Sequence, residues 1–263
     1  MKIENGILVE IDCEEKNLVF PKEMRAIDDE VETGDFLNLT DVESITVEEY
    51  NSFYHSDGNC LLDTAENRLI IGCKNSVIPE ETATIEFNAF CDRPIKQINL
   101  PEGLLVIGGH AFSGTEIQSV FIPPSVNMIY PGAFAHCRQL RTLEVHPDNP
   151  VYRSENNCII ERKTNTLVAC CDDPGIPDGV EIVGESALML ANTRYITLPG
   201  SVREIQKIGI GLPPFFEFGA HEETSEDGEN RVVQAIIRAP KGSDAIRFAK
   251  ENNLPYVEIS ASV

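Results

Sequence analysis

Ile98-Asn99-Leu100-Pro101 is followed, 22 residues on, by Val120-Phe121-Ile122-Pro123. The same shift carries Leu104 to Val126, Ile107 to Ile129, Ala111 to Ala133 and Phe112 to Phe134. Every apolar position of one unit therefore lands on an apolar position of the next. The skeleton recurs at Ile78-Pro79 through Ile85 to Ala89-Phe90, and at Ile176-Pro177 through Val180 and Val183 to Ala187-Leu188. Weaker copies stand at Phe20-Pro21, with Met24, Ile27 and Val31, and at Leu198-Pro199, with Val202 and Ile205. Self-similarity at a short fixed period is the signature of a solenoid. The I-x-I-P segment reads as a short strand: alternate residues point inward, and the proline ends it by withholding a backbone donor. The V-x-x-I residues belong to a second extended stretch on the return side, and Ala-Phe closes the corner, a small residue making room for a large one. No single coil buries its apolar ladder, so coils stack, with strands of neighbouring coils about 4.8 Å apart and right-handed coiling as the expected hand.

A longer period overlies the first. Residues 42–101 align without a gap on 140–199, an offset of 98. Asn51, Tyr54, Ser56, Asn59 and Cys60 return as Asn149, Tyr152, Ser154, Asn157 and Cys158. Asn67, Leu69 and Cys73 return as Asn165, Leu167 and Cys171. These stretches break the shorter rhythm, and each reads as a β-hairpin, Cys60–Asp63 with Arg68–Ile71 and Cys158–Glu161 with Thr166–Ala169, extending from the coil.

At these residues the chain resembles the BspA-type leucine-rich repeat family, whose unit runs roughly L-x-x-I-x-I-P-x-x-V-x-x-I-G-x-x-A-F-x-x-C. The likeness is closest over Ile117–Cys137, where Ile122-Pro123, Val126, Ile129, Ala133-Phe134 and Cys137 all fit. The N-x-x-Y-x-S-x-x-N-C hairpin motif and the ending Pro240–Lys250 before Leu254-Pro255-Tyr256 are also similar to the family's. The resemblance covers roughly residues 18–258 and departs from the pattern at Val31-Glu32, where coil one lacks Ala-Phe, and at Gly209-Ile210. It implies a binding role without chemistry, and attachment to host or neighbouring cells as the family's habit. The expected fold is a single leucine-rich-repeat solenoid, a right-handed superhelix of about eight coils. Its parts are an N-terminal cap segment (1–17), repeats over 18–234, hairpin insertions near 51–73 and 149–171, and a C-terminal helical cap (235–263). In that cap Ser243 reads as the N-cap, and Ala245, Ile246, Phe248 and Ala249 give one apolar face to cover the open end of the ladder.

Composition bounds the function. The chain has 263 residues, 42% hydrophobic and 24% charged, with 43 acidic against 21 basic side chains and a net charge of −22. That is an ordinary globular balance, but an acidity that opposes nucleic acid and anionic membrane surfaces. No apolar run approaches the roughly 20 residues of a membrane helix. The opening Met1–Gly6 lacks the basic and apolar regions of a secretory signal, which predicts a cytoplasmic chain with free thiols. A trimmed signal or signal-independent export is the alternative, with the protein at the cell surface or secreted.

The charge is polarised. Residues 1–58 hold 16 acids against 4 bases, and residues 217–230 hold six acids and read as a solvated loop. The acidic half reads either as a solubilising surface or as an electrostatic handle for a basic protein partner. No phosphate-binding, hydrolase or zinc-protease motif occurs, and no C-x-x-C, so neither catalytic residue, metal ligand nor cofactor is assigned. The pairs Cys60/Cys73 and Cys158/Cys171 share a separation of 13. Reduced core thiols, a cross-strand disulfide and half of a metal site are the competing readings. His136 beside Cys137 is not a catalytic dyad, because adjacent residues point apart.

The partner-binding candidates are the solvent-facing residues of the strand side. Thr46, Asn99, Phe121, Glu144, Thr197 and Arg238 form a central row, with Ser44, Gln97, Ser119, Thr142 and Tyr195 beside it. Phe121 and Tyr195 stand out, since aromatic residues are enriched at interface cores. The expected function is a non-catalytic protein-recognition scaffold, with a cell-surface adhesin and a carbohydrate-binding module as alternatives.

Overall fold

Leu69, Ile85, Ile107 and Ile129 stand in one parallel register, each paired with the next. All four side chains are buried, while the preceding residues Arg68, Thr84, Val106 and Met128 point to the other face. The computed structural model describes residues 1–12, 14–171, 175–189, 194–206, 220–224 and 230–260. They fall into two units, Met1–Phe134 and Ala135–Val263.

In the first unit the ladder begins in an antiparallel meander. Tyr54–Asp57 pairs with Cys60–Asp63, and Cys60–Asp63 with Arg68–Gly72. Arg68–Gly72 then runs parallel to Thr84–Ile85, so the hairpin does not hang from the coil; its last strand is the first rung of the ladder. Beyond it come Val106–Ile107 and Met128–Ile129. On the other side of the coil Asn17–Phe20 runs parallel to Ser44–Val47 and buries Leu18, Phe20 and Ile45. Coil one, which lacks Ala-Phe, turns instead through a helix, Asp29–Thr33, N-capped by Asp28 and burying Val31. The segment read as an N-terminal cap forms a hairpin, Lys2–Glu4 with Ile7–Glu10. Its turn is Asn5-Gly6, both at positive φ, the pairing that two-residue hairpin turns favour.

The corners explain the Ala-Phe signature. Phe90, Phe112 and Phe134 stack nearly parallel, with centroids 5.3 and 5.7 Å apart. Behind them the backbone links coil to coil: the Phe90 N–H donates to Ala111 O at 2.8 Å and the Phe112 N–H to Ala133 O at 2.9 Å. The residue before each alanine adopts positive φ, at Asn88, His110, Gly132 and Ser186. Two residues after each phenylalanine the backbone turns left-handed again, at Asp92, Gly114 and His136. His110 and His136 thus occupy turn positions that Asn, Asp and Gly fill elsewhere in the repeat.

The second unit repeats the meander. Tyr152–Glu155, Cys158–Glu161 and Thr166–Cys170 are antiparallel, and Thr166–Cys170 then runs parallel to Ile182–Val183 and on to Glu204–Ile205. Tyr195–Thr197, Ile236–Pro240 and Tyr256–Ile259 form a parallel sheet. The helix Asp244–Glu251, N-capped by Ser243, buries Ala245, Ile246 and Ala249 in the same cluster as Ile237 and Ala239. Within the stretch read as an acidic loop, Ala220–Thr224 pairs antiparallel with Asn230–Gln234. That part is a β-ribbon, which the density of acids concealed. Residues 217–219 and 225–229 lie outside the described residues, as do Gly209-Ile210 and Cys13.

The 98-residue offset is a repeat of hydrogen bonds as much as of residues. Asn51 Oδ1 accepts from the Phe53 and Tyr54 N–H groups at 2.8 and 2.9 Å. Asn149 Oδ1 accepts from Val151 and Tyr152 at 2.9 and 2.7 Å. Ser56 Oγ accepts from the Val47 N–H, and Ser154 Oγ from that of Val145, both at 3.0 Å. Asn51 also donates through Nδ2 to the carbonyls of Pro21 and Met24, both at 3.0 Å, fastening the meander to coil one. Asn51→Ala is expected to destabilise the protein by about 1–3 kcal/mol, because part-buried backbone groups lose their partners. Asn51→Asp keeps the acceptor and loses the donors, so its urea midpoint should fall between those of wild type and Asn51→Ala.

Candidate functional site

The strand-face candidates divide between the two units. In the first, Ser119–Ile122 alternates strictly: Val120 and Ile122 are buried, Ser119 and Phe121 exposed, with Phe121 48% accessible. Thr46 is exposed and Ser44 half-buried on Ser44–Val47. Ser44 Oγ donates to Asn17 Oδ1 at 2.7 Å and Thr46 Oγ1 to Leu18 O at 3.3 Å. Both hydroxyls therefore serve neighbouring groups of the adjacent strand. Gln97 and Asn99 are exposed but stand on a stretch without ladder pairing.

In the second unit Glu144 is exposed and Thr142 half-buried on Thr142–Val145. Tyr195 and Thr197 stand on one strand, and Arg238 lies opposite Thr197 on the next. The Arg238 guanidinium sits 3.5 Å from the Tyr195 ring centroid, and that of Arg194 lies 5.5 Å away. Tyr195 is therefore no open aromatic platform but a ring faced by two cations, an arrangement worth about 0.5–1 kcal/mol at an accessible site. Sequence spacing alone could not show it, since Tyr195 and Arg238 meet only through strand pairing. Thr197 also borders a groove of about 270 Å³ with Ile176, Asp178, Leu198, Pro199, Pro240 and Ile259.

A second cavity, about 110 Å³, lies in the first unit among Glu32, Phe36, Arg68, Ile70, Glu86 and Phe87. Arg68 is the hub of its charges, 2.9 Å from Glu86, 3.3 Å from Asp63 and 3.4 Å from Glu66. Asp63 is partly desolvated, yet N–H groups of Glu66 and Ala65 together with Arg68 hold its carboxyl below the usual range. Glu32 goes the other way: burial first, then Glu86 and Asp29, raise it against the pull of Arg68.

The cysteines among the described residues are all buried. Burial pushes the Cys60 thiol up to about 12 and that of Cys91 up to about 11, so neither is a thiolate nucleophile near neutrality. Register decides which residues oppose the hairpin cysteines. Cys60 faces Gly72, and Cys158 faces Cys170. Cys73 and Cys171 each lie one residue beyond the end of their strand, and Cys73 stays near enough to Cys60 to raise its thiol electrostatically. Among the described residues no group of three His, Cys, Asp or Glu is placed to hold a metal ion. Also among them, no helix is long and apolar enough to cross a membrane.

The chain is similar to a leucine-rich repeat protein from Eubacterium ventriosum, at 16% identity and a TM-score of 0.48, covering 81% of this chain. It spans 63% of that protein's length. A leucine rich cell surface protein from Faecalibacterium prausnitzii matches at 17% identity and a TM-score of 0.49, covering 94% of this chain and 79% of the other. The pneumococcal vaccine antigen PcpA matches at 14% identity and a TM-score of 0.38, covering 94% and 56%. No curated protein matches the chain. Six copies of the BspA type leucine rich repeat model match residues 71–171, the stretch that holds the rungs at Ile85, Ile107 and Ile129, the phenylalanine corners and the second meander. Over those residues, less than half of the chain, the sequence is similar to BspA type leucine rich repeats.

Proposed function

We propose that the protein is a non-catalytic recognition scaffold that takes a protein partner on the solvent-facing side of its strands. The observation that carries this reading is the alternation in Ser119–Ile122, where an accessible phenylalanine stands between two buried core residues. Exposed aromatic side chains on a rigid strand provide contact area at little entropic cost. In the second unit Tyr195, Thr197 and Arg238 supply an aromatic ring, a hydroxyl and a cation within one strand pair. We read the repeats as right-handed coils, the meanders as insertions into that array, and the helix Asp244–Glu251 as the cover of its terminal ladder. The burial of Ala245, Ile246 and Ala249 against the strand residues Ile237 and Ala239 supports the last point.

Adhesion at a cell surface is the second reading, and the BspA-type repeat favours it. The cytoplasmic expectation drawn from the N-terminal residues has no support in the family match. Replacing Phe121 and Tyr195 together with serine should weaken capture of a partner roughly tenfold or more, the scale of losing two interface anchors. The stability lost, read from the urea midpoint, should not exceed the about 0.5–1 kcal/mol that the cations over the Tyr195 ring supply. Resin-bound wild type and F121S/Y195S are compared on lysate and on surface extract of the source cells. A protein retained by the first and lost by the second supports the reading, and equal retention overturns it. Binding to a glycan array with no protein retained would move the assignment to a carbohydrate-binding module.

A further inference from the structure

Cys158 and Cys170 sit directly opposite each other on the antiparallel strands Cys158–Glu161 and Thr166–Cys170. Their sulfur atoms are 2.8 Å apart, closer than unbonded sulfurs rest, and both side chains are buried. The Cys171 N–H donates to Asn157 O at 3.2 Å. That bond lies one residue outside the pair and makes Cys158 and Cys170 a non-hydrogen-bonded position, where opposing Cα atoms come closest, about 4.5 Å apart. This spacing falls within the range disulfides span, and the sulfurs need to close by less than about 1 Å to reach bonding distance. The first meander supplies an internal contrast. It repeats the same strands and the same Asn and Ser hydrogen bonds, but there Cys60 faces Gly72.

We infer that Cys158 and Cys170 form a cross-strand disulfide in the mature protein. The chemistry needs an incoming disulfide as oxidant, either a low-molecular-weight disulfide such as oxidised glutathione or the disulfide of a dithiol oxidoreductase. One cysteine, as its thiolate, attacks that disulfide and releases half of the oxidant as a thiol, leaving a mixed disulfide. The second cysteine, losing its proton, displaces the other half. Two protons and two electrons leave the protein, and the oxidant departs as two thiols. In the folded chain burial and the neighbouring Cys158 hold the Cys170 thiol strongly protonated. The exchange therefore belongs to folding, before the strand pair closes over the sulfurs, and the finished bond is shielded from reductant.

The test refolds the reduced, denatured full chain in a mixture of oxidised and reduced glutathione. Remaining thiols are then blocked with iodoacetamide, and the intact and digested protein is read by mass spectrometry without reductant. The expected product is lighter by two hydrogen atoms before blocking and contains one linked peptide, joining Cys158 to Cys170. C171S should retain that peptide and C170S should lose it. C158S/C170S, checked by far-ultraviolet circular dichroism, should still fold, since the strands keep their hydrogen bonds. Eight blocked thiols in the refolded wild type would overturn the inference, and so would a link that persists in C170S through Cys171.

Discussion

Arg93→Met is expected to destabilise the first unit by about 3–5 kcal/mol, the range for removing one member of a buried charged network. Arg93 is completely buried. Its Nε donates to Gly72 O at 3.3 Å, Nη1 to Cys91 O at 2.7 Å, and Nη2 to Phe36 O. One guanidinium thus satisfies carbonyls from the end of the meander, from its own corner and from the turn after coil one. Each carbonyl left bare in a buried site costs about 1–3 kcal/mol, which accounts for the size of the effect. Methionine fills much of the volume and isolates this polar term from cavity formation. Arg93→Lys should recover little of the loss, because a single ammonium on a flexible stem cannot reach three diverging acceptors as a planar fork can. Since the chain has no tryptophan, urea unfolding is followed by far-ultraviolet circular dichroism. Midpoints for both variants within error of wild type would show that water takes over these carbonyls.

Arg93 also marks where sequence reasoning stopped. Counting by the repeat, Arg93 stands where the next coils have Thr115 and Cys137, all three buried. Thr115 Oγ1 donates to Phe112 O of its own corner at 2.8 Å. The periodicity therefore identifies an inward position but gives no reason for a charge there. The reason lies at Gly72 and Phe36, where the meander and the turn at Asp35–Asn38 interrupt the coil and leave carbonyls turned inward. The interruption was legible as a break in rhythm. The carbonyls it strands were not, because backbone direction is absent from side-chain pattern. The residue opposite Cys158 was hidden for a related reason. Equal separations in the two hairpins drew attention to Cys171, yet register is set by turn geometry and bulges, and Cys170 stands there. Both hairpins shift register, between Leu61 and Leu62 and between Ile159 and Ile160. Inward apolar positions, by contrast, repeat regardless of such details, and Ile85, Ile107 and Ile129 fall where the 22-residue spacing places them. Outward positions within a single strand were legible, as at Ser119 and Phe121, but the pairing of Tyr195 with Arg238 was not. That contact joins residues far apart in sequence.

Phe112→Ala is expected to cost about 3–5 kcal/mol, toward the upper end of the range for truncating a buried phenylalanine. Phe112 is the middle ring of the stack, so its loss removes the contacts to both Phe90 and Phe134. Each such pair adds about 0.5–1.5 kcal/mol beyond area burial. The cavity closes poorly, because Ala111 and Ala133 are tied from coil to coil by backbone hydrogen bonds that resist collapse. The end of the stack gives an independent check. At Gly72, where the phenylalanine series meets the meander, an added Cβ would lie 1.9 Å from Phe90 Cε1. Phe90 cannot swing away without leaving Phe112, so Gly72→Ala is expected to cost about 1–3 kcal/mol by overpacking, or more. Combining it with Phe90→Ala removes the clash, and the two substitutions should then fall short of additivity by at least about 1 kcal/mol. A urea-denaturation double-mutant cycle measures that coupling. A value near zero would mean that the corner rings move independently of the strand beside them, and that the stack fills space without holding the coils in register.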